Sequence, residues 1–273
     1  MTKGANARKK TEEEIVQRTA PPGEVVYHAI YREGEHELKR KTGELAFSGL
    51  AAGLSMGFSL VAEALLQERL PDTPWRPLVA KLGYSVGFLI VILGRQQLFT
   101  KNTLTVILPV LREKKLSTVG TVGKLWATVF LMNLIGAFAF AWLAARSPAF
   151  PEEARAEFLK VAQTAIHPGF GELFARGIVA GWLIALMVWL LPFAESAHIW
   201  VIIILAYLIG IAELPHIIAG SVEAFYCVSA GLLAFSDCVT HYLVPVLLGN
   251  VIGGVALVAF GAHAEFIEAS DAG

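Results

Sequence analysis

The chain has 273 residues, of which 55% are hydrophobic and only 16% are charged. A soluble domain has about 25% charged residues, so this composition indicates a polytopic membrane protein. It excludes a disulfide scaffold, because there are two cysteines, and a nucleic-acid-binding protein, because 22 basic residues are balanced by 23 acidic ones. Cys227 and Cys238 lie in or beside apolar segments, and we interpret them as small apolar fillers.

Residues 1–44 are polar and hold nine of the basic residues. No apolar stretch follows the basic start, so we expect no cleavable signal peptide. Val26 and Ile30 lie four residues apart, as do Tyr27 and Tyr31, a spacing typical of a short amphipathic helix on a surface. A solvated, partly ordered tail fits the same residues equally well, and the sequence leaves the two readings open.

Six apolar segments predict a transmembrane domain over residues 45–261, because a helical span needs about 20 apolar residues. The predicted spans run from Leu45 to Leu66, from Leu82 to Leu111, over 119–144, over 173–193, from 199 onwards and over 239–261. A short helix is predicted at Glu152–Gln163, because Pro151 suits a helix start. Residues 262–273 form an acidic tail.

Polar residues interrupt the second and the fifth predicted spans. The first interruption is at 94–103, where Arg95 and Lys101 fall near mid-membrane at a cost of about 3 kcal/mol for each cation. The second is at 212–221, where Pro215 removes a backbone donor. Irregular backbone at this depth is tolerated only inside protein or beside a water-filled cavity. We therefore expect broken helices that line a pathway.

The two halves of the domain repeat each other. The matching blocks are Gly43-Glu44-Leu45 with Gly171-Glu172-Leu173, and Asn133-Leu134-Ile135-Gly136 with Asn250-Val251-Ile252-Gly253. Within the interruptions, aligning Leu98 with Leu214 pairs Thr100 with His216. Three spans followed by three spans predict an inverted-topology repeat, and broken helices at corresponding positions are the best sequence indication of a transport site.

His216 is the histidine of the second interruption. An ionisable group at membrane depth is a functional hypothesis by default, and imidazole donates a proton or a hydrogen bond near neutral pH. A hydrogen-bonded core histidine is the alternative. Arg95 and Lys101 either attract anions, or snorkel toward the membrane surface or pair with glutamates elsewhere. Further ionisable candidates, for which a helix end or a loop is the alternative, are Glu213, Glu223 and Asp237.

At these residues the chain resembles the formate/nitrite transporter family, over about 40–261. The blocks that carry the resemblance, in the family's order, are Leu98-Phe99-Thr100, Asn133 to Gly136, His216 in HIIAG, and Leu243 to Gly253. The resemblance implies an aquaporin-like protomer of six helices, a homopentamer with one pore in each protomer, and small monovalent anions such as formate, nitrite, lactate or hydrosulfide. The asparagine-proline-alanine boxes of true aquaporins are missing.

The resemblance also implies roles for individual residues. The histidine that matches His216 lies mid-pore between two apolar constrictions, and the threonine that matches Thr100 sits opposite it on the loop. Leu98 and Phe99 carry over as constriction residues by motif, and lipid-facing or core positions are the alternative for both. By alignment alone, further lining positions fall on Tyr84, Phe88, Ile184 and Ile209.

The chain departs from the family pattern at several positions. Gln97 replaces an acidic residue, Gly181 and Gly220 replace asparagines, and Pro215 replaces a glutamate that often precedes the histidine. The lysine that is common near the outer vestibule has no clear match. The chain therefore looks like a divergent branch, similar to the uncharacterised inner-membrane proteins of the family.

The sequence thus predicts a proton-linked channel or transporter for small monovalent anions in the inner membrane, without a cofactor. Basic residues in 1–44, with Arg112, Lys114 and Lys115, predict cytoplasmic N- and C-termini by the positive-inside rule. A scaffold or sensor that has lost transport and a pore for a small neutral solute stay open. A membrane-embedded enzyme is disfavoured, because the metal-binding, nucleophile and nucleotide-binding motifs HExxH, CxxC, GxSxG and Walker A are absent.

Overall fold

The computed structural model describes residues 23–256, which are helical and contain no strand. The helices are α1 (Gly23–Lys39), α2 (Thr42–Arg69), α3 (Arg76–Leu93), α4 (Phe99–Thr105), α5 (Ile107–Glu113), α6 (Leu116–Arg146), α7 (Glu152–Ile166), α8 (Phe170–Ala194), α9 (His198–Ile211), α10 (Ile217–Ser229) and α11 (Phe235–Gly254). The predictions for 1–22 and for 257–273, including the acidic tail, lie outside the described residues.

Helices α2, α3, α6, α8 and α11 are long and apolar enough to cross a membrane. The all-helical membrane fold is thereby confirmed. The span predicted from residue 199 is a shorter apolar helix, because α9 ends after 14 residues at the second interruption. Helix α3 begins at Arg76, earlier than the predicted Leu82, because Pro77 occupies an N-terminal helical position where a missing N–H costs nothing.

Both interruptions are shorter than predicted. The breaks cover 94–98 and 212–216, rather than 94–103 and 212–221, because helix resumes at once after an extended residue. Thr100 therefore lies in the first turn of α4 and not on a loop. Each break joins the end of one apolar helix, α3 or α9, to a short helix, α4 or α10, which we call a half-helix.

The two breaks begin with the same backbone turn. Arg95 and Glu213 both have a φ of 50°, in the left-handed region. In each break, the N–H of the following residue bonds to the carbonyl oxygen five residues before it, over 2.9 Å in the first and 3.0 Å in the second. This is the Schellman ending, which satisfies the last carbonyl groups of a helix. The repeat is therefore visible in the backbone itself.

The structural register between the breaks differs from the predicted one by two residues. Leu98 and His216 are the extended residues that precede the half-helices, with φ and ψ of −103° and 124° and of −102° and 126°. Leu98 therefore corresponds to His216, and Thr100 to Ile218. The predicted match of Thr100 with His216 as equivalent residues of the two repeats is therefore wrong. The alignment of Leu98 with Leu214 joins residues that lie at different distances from the start of the helix that follows each break.

A buried asparagine holds each break in place. Asn133 accepts the N–H of Phe99 over 2.9 Å and donates to the carbonyl groups of Gln97, over 2.8 Å, and Gly49, over 2.7 Å. In the second half Asn250 makes the same three bonds, over 2.8, 3.0 and 2.9 Å. Its partners are Ile217, Pro215 and Gly177. Backbone groups that would be unpaired at membrane depth are thereby satisfied.

Glycine lets the helices of each repeat pack backbone to backbone. Helix α2 packs along α6, and α8 packs along α11. A side chain at Gly53 would collide with the backbone of Asn133, and one at Gly181 with the backbone of Asn250. Small residues at such contacts are typical of helix packing in membranes. The half-helices then cross over, because α4 contacts α8 and α11, while α10 contacts α2 and α6.

Helix α1 packs against the transmembrane helices and not on a free surface. Its Val26, Tyr27 and Ile30 are buried. They form a cluster with Leu104, Leu108, Ala185 and Val188, which belong to α4, α5 and α8. At Gly34 the helix approaches the backbone of Thr105 so closely that no side chain would fit. Helix α1 therefore lies across the half-helix of the first repeat.

Candidate functional site

The two breaks meet at a buried polar pair. The Nε2 atom of His216 lies 2.7 Å from the Oγ1 atom of Thr100. The two residues are 0% and 1% exposed. Although they are not symmetry equivalents, the extended residue before α10 faces the first turn of α4. The structure thus brings together the two polar residues that the sequence placed at the centre of the pathway.

The hydrogen bonds of His216 select one form of its ring. The N–H of Ala219 donates to Nδ1 over 3.1 Å, which makes His216 the N-cap of α10. An accepting nitrogen carries no hydrogen, so the hydrogen of the neutral ring is on Nε2 and is donated to Thr100. A second proton, at Nδ1, would break the cap bond. The Thr100 hydroxyl keeps its own hydrogen to donate to another group.

Aromatic and aliphatic side chains surround the pair. The ring of Phe88 lies edge-on to His216, with 5.0 Å between the ring centres, and Tyr84 packs against Phe88 at 5.5 Å. Tyr84 and Ile209 line the same cavity as His216. Three of the lining positions taken from the alignment therefore lie around the histidine.

The other predicted apolar residues are buried in the core. Leu98 is 1% exposed and precedes α4. The ring of Phe99 packs on α6, at 4.9 Å from Phe130 and 5.7 Å from Trp126. Ile184 is buried within α8. The structure does not bring the Phe99 ring to His216, because the first turn of α4 points it toward α6.

A cavity, which we call the α7 vestibule, leads from α7 to His216. Its lining includes Lys81, Tyr84, Arg176, His216, Glu223 and Tyr242. Lys81 pairs with Glu63 over 2.5 Å, and Arg176 contacts two carboxylates, Glu172 over 2.6 Å and Glu213 over 3.6 Å. Both cations of this lining are therefore paired with carboxylates.

A second cavity, which we call the α1 vestibule, opens beside α1 and the first break. Its lining includes Glu33, His36, Arg40, Arg95, Lys101 and His198. Lys101 pairs with Glu33 over 2.5 Å, which is the alternative that the sequence left open for this lysine. Arg95 is exposed at the mouth. Arg95 and Lys101 thus lie at this mouth and not beside His216.

The departures from the family pattern have visible partners. Gln97 donates to Glu37 of α1 over 2.7 Å and accepts from Asn102 over 2.9 Å, so an amide links α1 to the first break. A side chain at Gly220 would collide with the hydroxyl of Tyr242. The space that an asparagine would fill is therefore occupied by a residue from α11.

Sequence reasoning did not find several side chains of the candidate site. Lys81 lines the α7 vestibule and pairs with Glu63, but it precedes the apolar part of its span. Glu223 was one of several ionisable candidates, with a helix end or a loop as the alternative. Asn133 and Asn250 were matched as repeat residues, and their role at the breaks follows from the hydrogen bonds alone.

Comparisons with known proteins show the family of this chain. Residues 24–264 match the family described as formate/nitrite transporter. The chain is 42% identical over 240 residues to the inner membrane protein YfdC of Escherichia coli (strain K12), covering 88% of this chain and 77% of that protein. It is 28% identical over 222 residues to the formate channel BtFdhC of Bacillus thuringiensis, covering 79% and 83%.

A solved structure, described as a pentameric formate channel with formate bound, has the same fold. Its TM-score to this chain is 0.69 at 20% sequence identity, covering 83% of this chain and 98% of that one. The span composition, the paired breaks and these matches lead to one conclusion. The chain is a multi-pass membrane protein that belongs to the formate/nitrite transporter family.

Proposed function

We propose that this protein passes small monovalent anions of the formate and nitrite class across the inner membrane, each together with a proton. The route runs from the α7 vestibule, past His216 and Thr100, to the α1 vestibule. Membership of the family supports the substrate class, as do the formate channels among its relatives. Leu98 and Phe88, both buried beside the breaks, supply the apolar walls.

One observation carries the proposal: the hydrogen bond between His216 and Thr100 at the floor of the α7 vestibule. Two broken helices meet there, and each contributes a group that donates a hydrogen bond. The neutral imidazole donates through Nε2, and the threonine hydroxyl has a hydrogen to spare. An oxygen-bearing anion or its neutral acid can replace one of these partners without leaving a buried polar atom unpaired.

The energetics favour a proton-linked route. A carboxylic acid with a pKa of about 4 costs roughly 4 kcal/mol to protonate at pH 7. Moving a bare anion past apolar side chains costs several kcal/mol or more. The two costs are of the same order. A protein that supplies the proton at the floor of a cavity avoids the cost of moving the bare anion. The cost of protonating the acid is recovered when the acid dissociates on the other side.

The assembly and orientation form part of the proposal. We infer a homopentamer with one pathway in each protomer, as in the pentameric formate channel that shares the fold. The distribution of basic residues supports a cytoplasmic position for both termini. The α1 vestibule then faces the cytoplasm, and the α7 vestibule faces the opposite side.

The test is the flux of formate and of nitrite into proteoliposomes at about pH 5.5 and about pH 7.5. Wild type should take up at least one of the two anions, faster at the lower pH. His216→Leu should lower the flux about tenfold or more, because it removes a buried hydrogen-bond donor on the route. His216→Gln keeps a donor and should retain more flux than His216→Leu.

The matched control is His241→Leu. His241 is exposed on α11 and lines neither vestibule. This variant should keep the pH dependence of wild type. No flux of either anion through folded wild type would overturn the proposal in favour of a scaffold or sensor. Flux that ignores pH and competing anions would overturn it in favour of a pore for neutral solutes.

A further inference from the structure

Glu223 is a buried carboxyl group that has no role in the function proposed above. It lies on α10, is 8% exposed and lines the α7 vestibule. Among residues 23–256, the hydrogen bonds and ion pairs of the structure include none to Glu223, whereas Glu63, the neighbouring acid on α2, is paired with Lys81. A carboxyl group that faces a cavity without a protein partner is placed to meet a ligand or water.

The charged groups around Glu223 balance one another, because two carboxylates face two cations. The ionisable groups that face it are Glu63 of α2, Lys81 and Tyr84 of α3, Arg176 of α8, Glu213 and His216 of the second break, Cys227 of its own helix, and Tyr242 of α11. From α6 and α7, Arg146 bonds to the carbonyl group of Ser229, and the carbonyl group of Arg155 accepts from Tyr226, both toward the far end of α10. Lys81 and Arg176 are already paired, so an anion beside an ionised Glu223 meets a like charge.

His216 is not free to exchange a proton at this floor. Its Nδ1 accepts the cap bond from Ala219, and its Nε2 carries the hydrogen that Thr100 accepts. Taking or losing a proton would break one of these bonds. The phenols of Tyr84 and Tyr242 ordinarily release a proton only near pH 10. Within the described lining next to His216, Glu223 is the carboxyl group without a basic partner.

We propose that Glu223 is the proton-exchange group of the transport pathway and shares one proton with the anion at the floor of the α7 vestibule. Two carboxylates at one site hold a single proton between them, because both cannot stay ionised side by side. The pair then carries one negative charge instead of two. This inference rests on the proposed function and names the residue that performs its proton step.

The step balances in protons and charge. The O–H bond of the Glu223 carboxyl group breaks, its electron pair stays on Glu223, and an O–H bond forms on the bound anion. The neutral acid moves on past His216 and Thr100 and releases its proton on the other side. The Glu223 carboxylate then takes a proton from water in the α7 vestibule. Transport in the other direction uses the same steps in reverse.

The experiment compares formate flux into proteoliposomes for wild type, Glu223→Gln and Glu223→Asp, with Glu157→Gln as the matched control. Glu157 pairs with Lys160 on the outside of α7 and does not line the vestibule. At about pH 7.5, Glu223→Gln should lower the flux about tenfold or more, the size of effect that a positioned acid supplies. At about pH 5.5, where bulk protons are roughly a hundredfold more abundant, the loss should shrink to about twofold.

The companion variants fix the interpretation. Glu223→Asp keeps an exchangeable proton and should restore most of the flux at the higher pH, while Glu157→Gln should match wild type at both. Equal flux for Glu223→Gln and wild type would overturn the inference. Faster flux for Glu223→Gln than for wild type at the higher pH would also overturn it, because it would show that Glu223 acts only as an electrostatic barrier. Absence of flux in wild type would instead overturn the proposed function, so the two failures are distinguishable.

A second measurement uses the wild-type protein, in case Glu223→Gln does not fold. A hydrophobic carbodiimide reacts with protonated carboxyl groups in apolar surroundings. Mass spectrometry should find the adduct on Glu223, formate should slow its formation, and labelling should stop flux. An unlabelled Glu223, or labelling without loss of flux, would overturn the inference.

Discussion

The two helix breaks share a backbone but differ in what covers them. Both start with a left-handed residue, both pass through an extended residue into a half-helix, and both are held by three bonds to a buried asparagine. The first break lies under α1, whose acidic side chains bind it. The second opens to the α7 vestibule and ends at His216.

The difference lies in the side chains at corresponding positions. These pairs are Gln97 and Pro215, Leu98 and His216, and Asn102 and Gly220. In the first break the polar groups turn to α1, while in the second the proline leaves His216 facing the vestibule. A symmetric set of hydrogen bonds to the backbone therefore holds both breaks, while different side chains at corresponding positions give each vestibule its own chemistry.

The symmetry is tested most strongly at the asparagines. Asn133→Ala and Asn250→Ala should each lower the free energy of unfolding by about 3 kcal/mol, because each removes three buried hydrogen bonds and leaves one N–H and one carbonyl group of the break without a partner. The losses should be equal within about 1 kcal/mol, since the bonds are the same. Thermal unfolding in detergent measures both, with Leu131→Ala, at an exposed position of α6, as control. A large loss at one asparagine alone would contradict the equivalence of the breaks.

The asymmetry at Gly220 predicts a coupled pair. Gly220→Ala should destabilise the protein by about 2 kcal/mol, because the added carbon meets the hydroxyl of Tyr242. Tyr242→Phe removes that oxygen and should restore much of the loss when combined with Gly220→Ala. Unfolding of the four members of this cycle gives the coupling. Strictly additive effects would show that the two side chains do not share the space.

The attachment of α1 predicts an effect at the first break. Gln97→Glu, which restores the acidic residue of the family pattern, should loosen α1 by about 1.5 kcal/mol, because a hydrogen bond to a carboxylate becomes a contact of like charges. Hydrogen exchange of the α1 amides reports the loosening, and Glu37→Gln in the same chain should reverse it. Unchanged exchange would count against the link.

The smallest effect is expected at the rim of the same mouth. Glu33→Gln removes the ion pair with Lys101, which is half-open to solvent. The loss should stay below about 1 kcal/mol and disappear at high salt. Comparing the α1 exchange rates of this variant with those of Gln97→Glu ranks the two attachments. A larger loss for Glu33→Gln would reverse the order that burial predicts.

Much of the fold could be predicted from the chain. Apolar run lengths place the long helices, and the glycines and asparagines that recur in both halves indicate the repeat. The break register could not be read, because Leu98 matches Leu214 in letter while matching His216 in backbone position. Letters align by chemistry, whereas the structure aligns by distance from the helix start.

The site was predicted in part. His216 and Thr100 meet as expected, although for a reason other than symmetry. The partners of Lys101 and Gln97 could not be found, because α1 is distant in sequence and its amphipathic spacing fits a free surface as well as a packed one. Glu223 was one ionisable candidate among several, and its place in a cavity lined by α3, α8 and α11 could not be predicted, because those helices are distant in sequence.

Proton-linked transport is tested most directly by measuring whether a pH gradient or a membrane potential drives formate uptake. Formate uptake into proteoliposomes is measured once with a pH gradient at zero membrane potential, and once with a potential at equal pH. A proton-linked route predicts uptake that follows the pH gradient, because the anion crosses together with a proton and no net charge moves. Uptake driven by the potential, to which a bare anion couples by about 2.3 kcal/mol per 100 mV, would contradict it.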